Sequence, residues 1–306
     1  MTHTKLFKAI AAGIVISAAS SGAAHAIPAY AYATLGFTNF ALTGINFSAP
    51  GTTTSVTSTD AANYPGFAAA GSSAGGTVTT GTDPLQATSG PGPFPGENVF
   101  TQAMLPASAL LPAGTRGDVQ ITGALATGAT SNLVAEGKLS VFNAAAGSSS
   151  GTSTTIGIVT TPTTAGNINL TFNATSALAA MVGTTGDSAN AQISATFTIF
   201  DRTTNSFVFI TSNNGAATSG QFIAPGALNT NVATTNTTLS PTFSSGPTAY
   251  SFTATLAAND TYSISLQDST TILLQTAAAV PEPASLALLG AGLVGIGFIR
   301  RRNKAA

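Results

Sequence analysis

Between residues 27 and 279 the chain offers nine carboxylates, three basic side chains and neither histidine nor cysteine for chemistry. Both histidines, His3 and His25, precede this stretch. Without imidazole or thiol there is no histidine general base, no Ser-His-Asp triad, no thiolate nucleophile and no zinc–cysteine site. Serine and threonine are abundant, but a hydroxyl is a poor nucleophile without an adjacent base. Lys138 is conceivable as the base of a Ser-Lys dyad, yet no S-x-x-K spacing accompanies it, and Glu136-Gly137-Lys138 reads as solvated strand. A glycoside hydrolase needs two carboxylates across a cleft. Asp118 and Glu136 could form such a pair, although nothing in their spacing selects them. No D-x-[DN]-x-[DN]-G calcium loop occurs. The acids mostly read as turn formers, as at Asp201 and Asp260. The expectation is a non-enzymatic protein with no catalytic, cofactor-binding or metal-ligating residues.

The elements that carry these residues are read from composition and alternation. Only 6% of the 306 residues are charged, against about 25% in ordinary soluble domains. The hydrophobic share is 43%, enough for a sizeable core. Small residues with few Lys or Glu disfavour long exposed helices. Ile168, Leu170 and Phe172 alternate with polar residues, and so do Phe197 and Ile199. Asp201 to Asn205 then turns the chain back into Phe207-Val208-Phe209-Ile210. Asn213-Asn214-Gly215 supplies a further turn. Tyr250, Phe252, Ala254 and Leu256 share one face, Ala257 to Asp260 turns, and Tyr262, Ile264 and Leu266 return. The pattern predicts an all-β, β-sandwich-like domain over 27–279 with long Gly/Ser/Thr-rich loops. Residues 48–96 read as loop-rich with short edge strands, because Gly90-Pro91-Gly92-Pro93-Phe94-Pro95-Gly96 excludes helix or central strand. One short helix is expected at Ser176 to Val182.

The remaining charges sit at the two ends. Residues 1–26 read as a signal peptide: Lys5 and Lys8, an 11-residue apolar stretch from Ala9 to Ala19, and an A-x-A site formed by Ala24 and Ala26. That implies the secretion machinery and a signal peptidase as partners; a buried N-terminal helix is the other reading. At 280–306, Val280-Pro281-Glu282-Pro283 precedes a 16-residue apolar run at 284–299. As a helix that run is about 24 Å long, somewhat less than a hydrocarbon core of about 30 Å. Arg300, Arg301, Arg302 and Lys304 follow as a basic cluster, which favours the cytoplasmic side. Two prolines around Glu282 keep the backbone extended outside the helix. Between the two ends the chain has three basic against nine acidic residues, a net charge of −6. It offers no basic footprint for nucleic acid.

The triplet Pro281-Glu282-Pro283, the Gly-rich apolar run and the arginine cluster together resemble the PEP-CTERM sorting signal of Gram-negative bacteria. The resemblance implies processing by an exosortase, a membrane-embedded cysteine transpeptidase. It further implies transient retention in the inner membrane with the body outside, and delivery to the cell surface or matrix. The expected role is structural or interactive in an exopolysaccharide layer or biofilm, through a polar Thr/Ser/Asn surface on a rigid sheet. The alternatives are a carbohydrate-binding or adhesin module using Tyr30, Tyr32, Tyr64, Tyr250 or Tyr262 as platforms, and, further off, a secreted hydrolase.

Overall fold

The computed structural model describes residues 29–44, 53–76, 82–104, 113–124, 128–139, 147–183, 185–211, 221–222, 228–235, 237 and 240–276. Within them the strands follow in order as β1 (Ala29–Thr43), β2 (Thr53–Asn63), β3 (Ala70–Gly76), β4 (Thr82–Ser89), β5 (Gly114–Ala124), β6 (Gly128–Leu139) and β7 (Gly147–Thr160). Then come β8 (Gly166–Met181), β9 (Ser188–Asp201), β10 (Ser206–Thr211), β11 (Gln221–Phe222), β12 (Thr230–Thr234), β13 (Thr242–Leu256) and β14 (Tyr262–Gln275). They form two sheets. The first runs β13-β8-β1-β6-β5-β4; the second runs β11-β10-β9-β14-β7-β2-β3, with β12 on the edge of β9. Neighbours are antiparallel throughout, apart from the two-residue pairing of β10 with β11. The sheets pack face to face, β1 and β8 over β9 and β14, and β5 and β6 over β7. This is the all-β, sandwich-like architecture that the alternation predicts.

Period-two patterning is clearest in β8. Ile168, Leu170, Phe172, Ala174, Ser176, Leu178 and Ala180 are buried, and the residues between them are half-buried or exposed. β9 and β14 follow the same rule from Ala189 to Asp201 and from Tyr262 to Leu274. The inward aromatic side chains gather around Phe172. Its ring lies 5.2 Å from Phe37 edge-on and 5.0 Å from Tyr250 in a stack. Burying one such ring contributes about 1.5–3 kcal/mol, with roughly 0.5–1.5 kcal/mol more for each well-placed aromatic pair.

Three expectations change. No helix occupies Ser176 to Val182; Ser176 to Met181 are the end of β8, paired with β1 on one side and, from Ser176 to Ala179, with β13 on the other. Ladder pairing on both edges overrides the helix propensity of the alanines. The stretch 48–96 holds three strands, and β2 lies between β7 and β3 rather than at an edge. Its inward side chains are Val56, Ser58, Asp60 and Ala62, so few bulky apolar residues marked it as a strand. Finally, the strands on either side of Ala257 to Asp260 enter opposite sheets: β13 pairs β8, whereas β14 pairs β7 and β9. The expected hairpin at 201–205 is present, joining β9 to β10, with Asn205 in the left-handed region at φ 56°. Asn213-Asn214-Gly215 lies outside the described residues.

Candidate functional site

The charges of the body assemble where β1, β5 and β6 run side by side. Arg116 on β5 and Glu136 on β6 are cross-strand partners. Both point away from the second sheet, and both are fully buried. Burial is achieved by the segment 94–104, which has no regular structure and lies over the outer face of the first sheet. It joins no ladder, so its backbone polar groups need side-chain partners. Arg116 donates from Nη1 to the Val99 carbonyl at 2.7 Å and from Nη2 to the Thr101 carbonyl at 2.9 Å. It also binds Glu136 Oε2 through Nε at 3.0 Å and Nη2 at 2.9 Å. Glu136 Oε1 accepts from the amides of Met104 at 2.7 Å and Ala103 at 3.0 Å, and from the Tyr30 hydroxyl at 2.8 Å. Tyr32 donates to the Phe100 carbonyl at 3.1 Å. Tyr30, Tyr32, Met104 and Val134 form an apolar cluster beside these groups, with Phe94 and Phe100 packed against it.

Titration behaviour follows from this burial. Removal from water, reinforced by the Glu136 charge, drives the Tyr30 phenol far above its ordinary value, and burial pushes Tyr32 up to about 12. Asp118, two residues beyond Arg116, is pushed up to about 6 by burial; the Arg116 charge and the amides of Asn98 and Val99 pull it partway back. Its Oδ2 stands 4.0 Å from Arg116 Nη1, and neither oxygen completes a hydrogen bond of normal geometry among the described residues. The backbone accommodates the cover segment at Gly114. That residue sits at φ +154°, and a Cβ there would lie 2.6 Å from the Phe94 ring.

A second polar centre lies between the sheets. Asp268 on β14 points inward; Oδ1 accepts from the Thr154 amide at 3.2 Å and from the Thr154 hydroxyl, and Oδ2 accepts from Ser131 Oγ at 3.2 Å. Full burial pushes its carboxyl up to about 7 against these hydrogen bonds. Thr152 and Thr270 pair through their hydroxyls at 2.7 Å alongside.

The outer face of the second sheet is a third region, polar and uncharged. Ladder register aligns Thr57, Thr155, Gln267 and Thr196 in one row across β2, β7, β14 and β9, and Thr59, Ser153, Ser269 and Ser194 in the next. Adjacent strands are about 4.8 Å apart, so side-chain polar groups recur at that spacing. Some bond to one another, as Thr59 and Ser153 do at 2.8 Å.

Against the sequence expectations, Lys138 is buried rather than solvated, and burial lowers its pKa. Asp118, Glu136, Asp60 and Asp268 are buried strand residues rather than turn formers; Asp201 does cap its turn, accepting from the amides of Thr203 and Thr204. Asp118 and Glu136 do converge, but around Arg116 and under cover, with no cleft between them. The five tyrosines considered as sugar platforms are all buried. The structure thus reveals a polar cluster that sequence reasoning missed. Its signal was available: in a chain so poor in charge, Arg116 and Asp118 share strand parity on β5, and Glu136 is one of few acids within an alternating segment.

Ala24, Ala26, Val280, Pro281, Glu282, Pro283, the apolar run 284–299, Arg300, Arg301, Arg302 and Lys304 lie outside the described residues. Among the described residues no helix is long and apolar enough to cross a membrane. Residues 279–302 match the family described as the PEP-CTERM protein-sorting motif. The chain is a PEP-CTERM sorting-signal protein. The match carries the triplet, the apolar run and the three arginines together, and it implies an exported protein that is held transiently at the membrane and processed by an exosortase. The β-rich body of this PEP-CTERM protein lies outside the matched residues. No curated protein and no solved structure matches the chain.

Proposed function

We propose that this PEP-CTERM protein is a non-enzymatic component of the cell surface or extracellular matrix, released there by exosortase processing after signal-peptide removal. Its second sheet presents a neutral, hydroxyl-rich face to exopolysaccharide. The observation that carries this reading is the pair of aligned polar rows on β2, β7, β14 and β9, which offer hydroxyl donors and acceptors at ladder spacing on a rigid support. A flat neutral face suits an extended neutral or weakly charged glycan, since hydrogen bonds rather than ion pairs make the contact. The adhesin alternative with tyrosine platforms is weakened by the burial of all five rings. A hydrolase built on Asp118 and Glu136 is weakened because the cover segment keeps both from solvent.

Co-sedimentation of the purified body with the producing cell's exopolysaccharide tests the proposal. The double substitution Thr155→Lys, Ser269→Lys leaves the core untouched and places bulk in both rows. Several-fold loss of sedimented protein is the expected result. Unchanged sedimentation, or turnover of the polysaccharide by the unaltered body, would refute it.

A further inference from the structure

The sandwich has two unlike ends. At one end, Tyr262 of β14 pairs with Thr160 and Asp201. The β9–β10 turn and the 257–260 connection meet there, with the Arg202 amide donating to the Thr261 carbonyl. Arg202 and Asp260 place charge at the surface of this end, with Asp201 buried beneath them. At the other end β14 stops at Gln275, opposite Gly147 and Ser188. One ladder row at this second end runs Asn63, Ser149, Leu273, Asn190, Ala233. β1 begins at the same end: Ala29 pairs Leu139, and a Cβ on nearby Gly137 would sit 3.2 Å from Leu274 Cδ1. The body therefore receives its N-terminal segment and releases its C-terminal one from a single rim.

This rim is chemically distinct. Leu273 is 56% exposed and Phe67, just beyond the end of β2, is 49% exposed. Leu273 lines a cleft of about 740 Å³ whose other walls are uncharged, among them Asn63, Ser188, Asn190, Thr234 and Gln275. Among the described residues the other large exposed apolar side chain, Phe207, also 56% exposed, is at the charged end. Eight peptide steps separate Thr276 from Ala284, where the apolar run begins, a reach of at most roughly 29 Å when fully extended. Strand β14 alone is about 46 Å long at ~3.3 Å per residue. The tether is thus shorter than the body it holds.

We propose that in the precursor the sandwich stands end-on at the membrane, with the Leu273–Phe67 rim resting in the lipid interface and the Asp201–Arg202–Asp260 end held away from it. This rests on the sorting-signal assignment, which places the apolar run in the bilayer. Leu273 and Phe67 partition into the interfacial layer while the surrounding amides and hydroxyls remain hydrated there. The exposed residues of this rim are uncharged, and the charged residues next to it, Asp187 before Ser188 and Lys138 before Leu139, are buried, so the contact depends little on anionic lipid or salt. Processing near Pro281 then occurs directly beneath a folded body, and cutting the tether is what frees the rim from the bilayer.

The chain contains no cysteine, so single substitutions Leu273→Cys, Phe67→Cys and Phe207→Cys accept an environment-sensitive dye at one place each. The full-length precursor is reconstituted into phosphatidylcholine vesicles, with and without added phosphatidylglycerol, and probed with spin-labelled lipid and aqueous iodide. Lipid quenching several-fold stronger at 273 and 67 than at 207, equal in both vesicle types, is expected; 207 is the control of matched exposure. Equal quenching at all three positions in vesicle-bound precursor overturns the proposal while leaving the sorting signal intact. Protection of 273 that appears only when exosortase is added also overturns it, in favour of a protein partner. Failure of the precursor to bind vesicles removes the tail assignment and the proposal together.

Discussion

The interior divides into two lateral halves that solve the same packing problem differently. Where β13, β8 and β1 face β9 and β14, large rings fill the space: Phe37, Phe40, Phe172, Phe197, Tyr250 and Phe252. Where β5 and β6 face β7 and β2, the interior has no rings: Thr115, Gly117, Ser131, Ser150, Thr152, Thr154 and Ser58 share it with the aliphatic side chains of Val56, Ile121, Ile156 and Ile158. Small side chains let the sheets draw together; a Cβ on Gly117 would lie 3.0 Å from Thr152 Cγ2 and 3.2 Å from the Gly151 carbonyl. The aromatic half is held by volume and tolerates no loss of it. The polar half is held by pairing, and each hydroxyl or carboxylate there must find a partner. It also carries the extra layer, segment 94–104, on its outer side. The difference teaches that low hydrophobicity in this chain signals close approach of sheets rather than loop.

The contrast can be tested by damaging each half in turn. Arg116→Ala should have the largest effect, about 3–5 kcal/mol by chemical denaturation, because it strands the buried Glu136 charge. It should also expose 94–104 to limited proteolysis, a local effect that no substitution in the aromatic half produces. Phe172→Ala should cost a similar or slightly smaller amount, about 3–5 kcal/mol for a buried ring, with 94–104 still protected and the loss independent of pH. If Phe172→Ala also released the cover segment, the two halves would be one cooperative unit.

Asp268→Asn sharpens the comparison through pH. The unfolded carboxyl titrates near 3.8 and the folded one near 7. Between these values the native state binds the extra proton, so stability is highest below about pH 4 and falls as pH rises toward 7. Asp118, raised to about 6, acts in the same direction. Asn at 268 removes the larger contribution, so the variant should gain stability at pH 8, up to roughly 4 kcal/mol, and little or none at pH 4. Thermal unfolding of both proteins at the two pH values measures this. The smallest expected effect is Gly137→Ala, where a new Cβ would lie 2.6 Å from Ile272 Cδ1 and 2.9 Å from Thr115 Cγ2. Overpacking should cost about 1–3 kcal/mol, and a neutral outcome would show that the sheets can separate there.

The aromatic half was legible in the sequence because bulky residues alternate with polar ones at Ile168, Leu170 and Phe172 and again at Phe197 and Ile199. The polar half was not. In β2 and the first half of β7 most positions, inward or outward, are small or hydroxylated, and Val56, Ile156 and Ile158 are too few bulky residues for the period of two to stand out. The charged cluster depends on contacts between residues up to 106 positions apart, as between Tyr30 and Glu136, which local pattern does not encode. The sheets of β13 and β14 were not legible for a related reason: a four-residue connection marks a reversal but does not say whether the returning strand pairs with its predecessor or crosses to the facing sheet. The sorting tail was readable because its three parts are contiguous and each is a matter of composition.

The Arg116–Glu136 pair also bears on the order of assembly. The two residues face each other in a hairpin whose ladder joins neighbouring strands, so their ion pair forms with the hairpin itself. Their leftover donors and acceptors are then filled by Val99, Thr101, Ala103 and Met104, which precede the hairpin in the chain. The earlier-made segment must wait for the later-made one, and the hairpin acts as a template whose open valences recruit its own upstream neighbour.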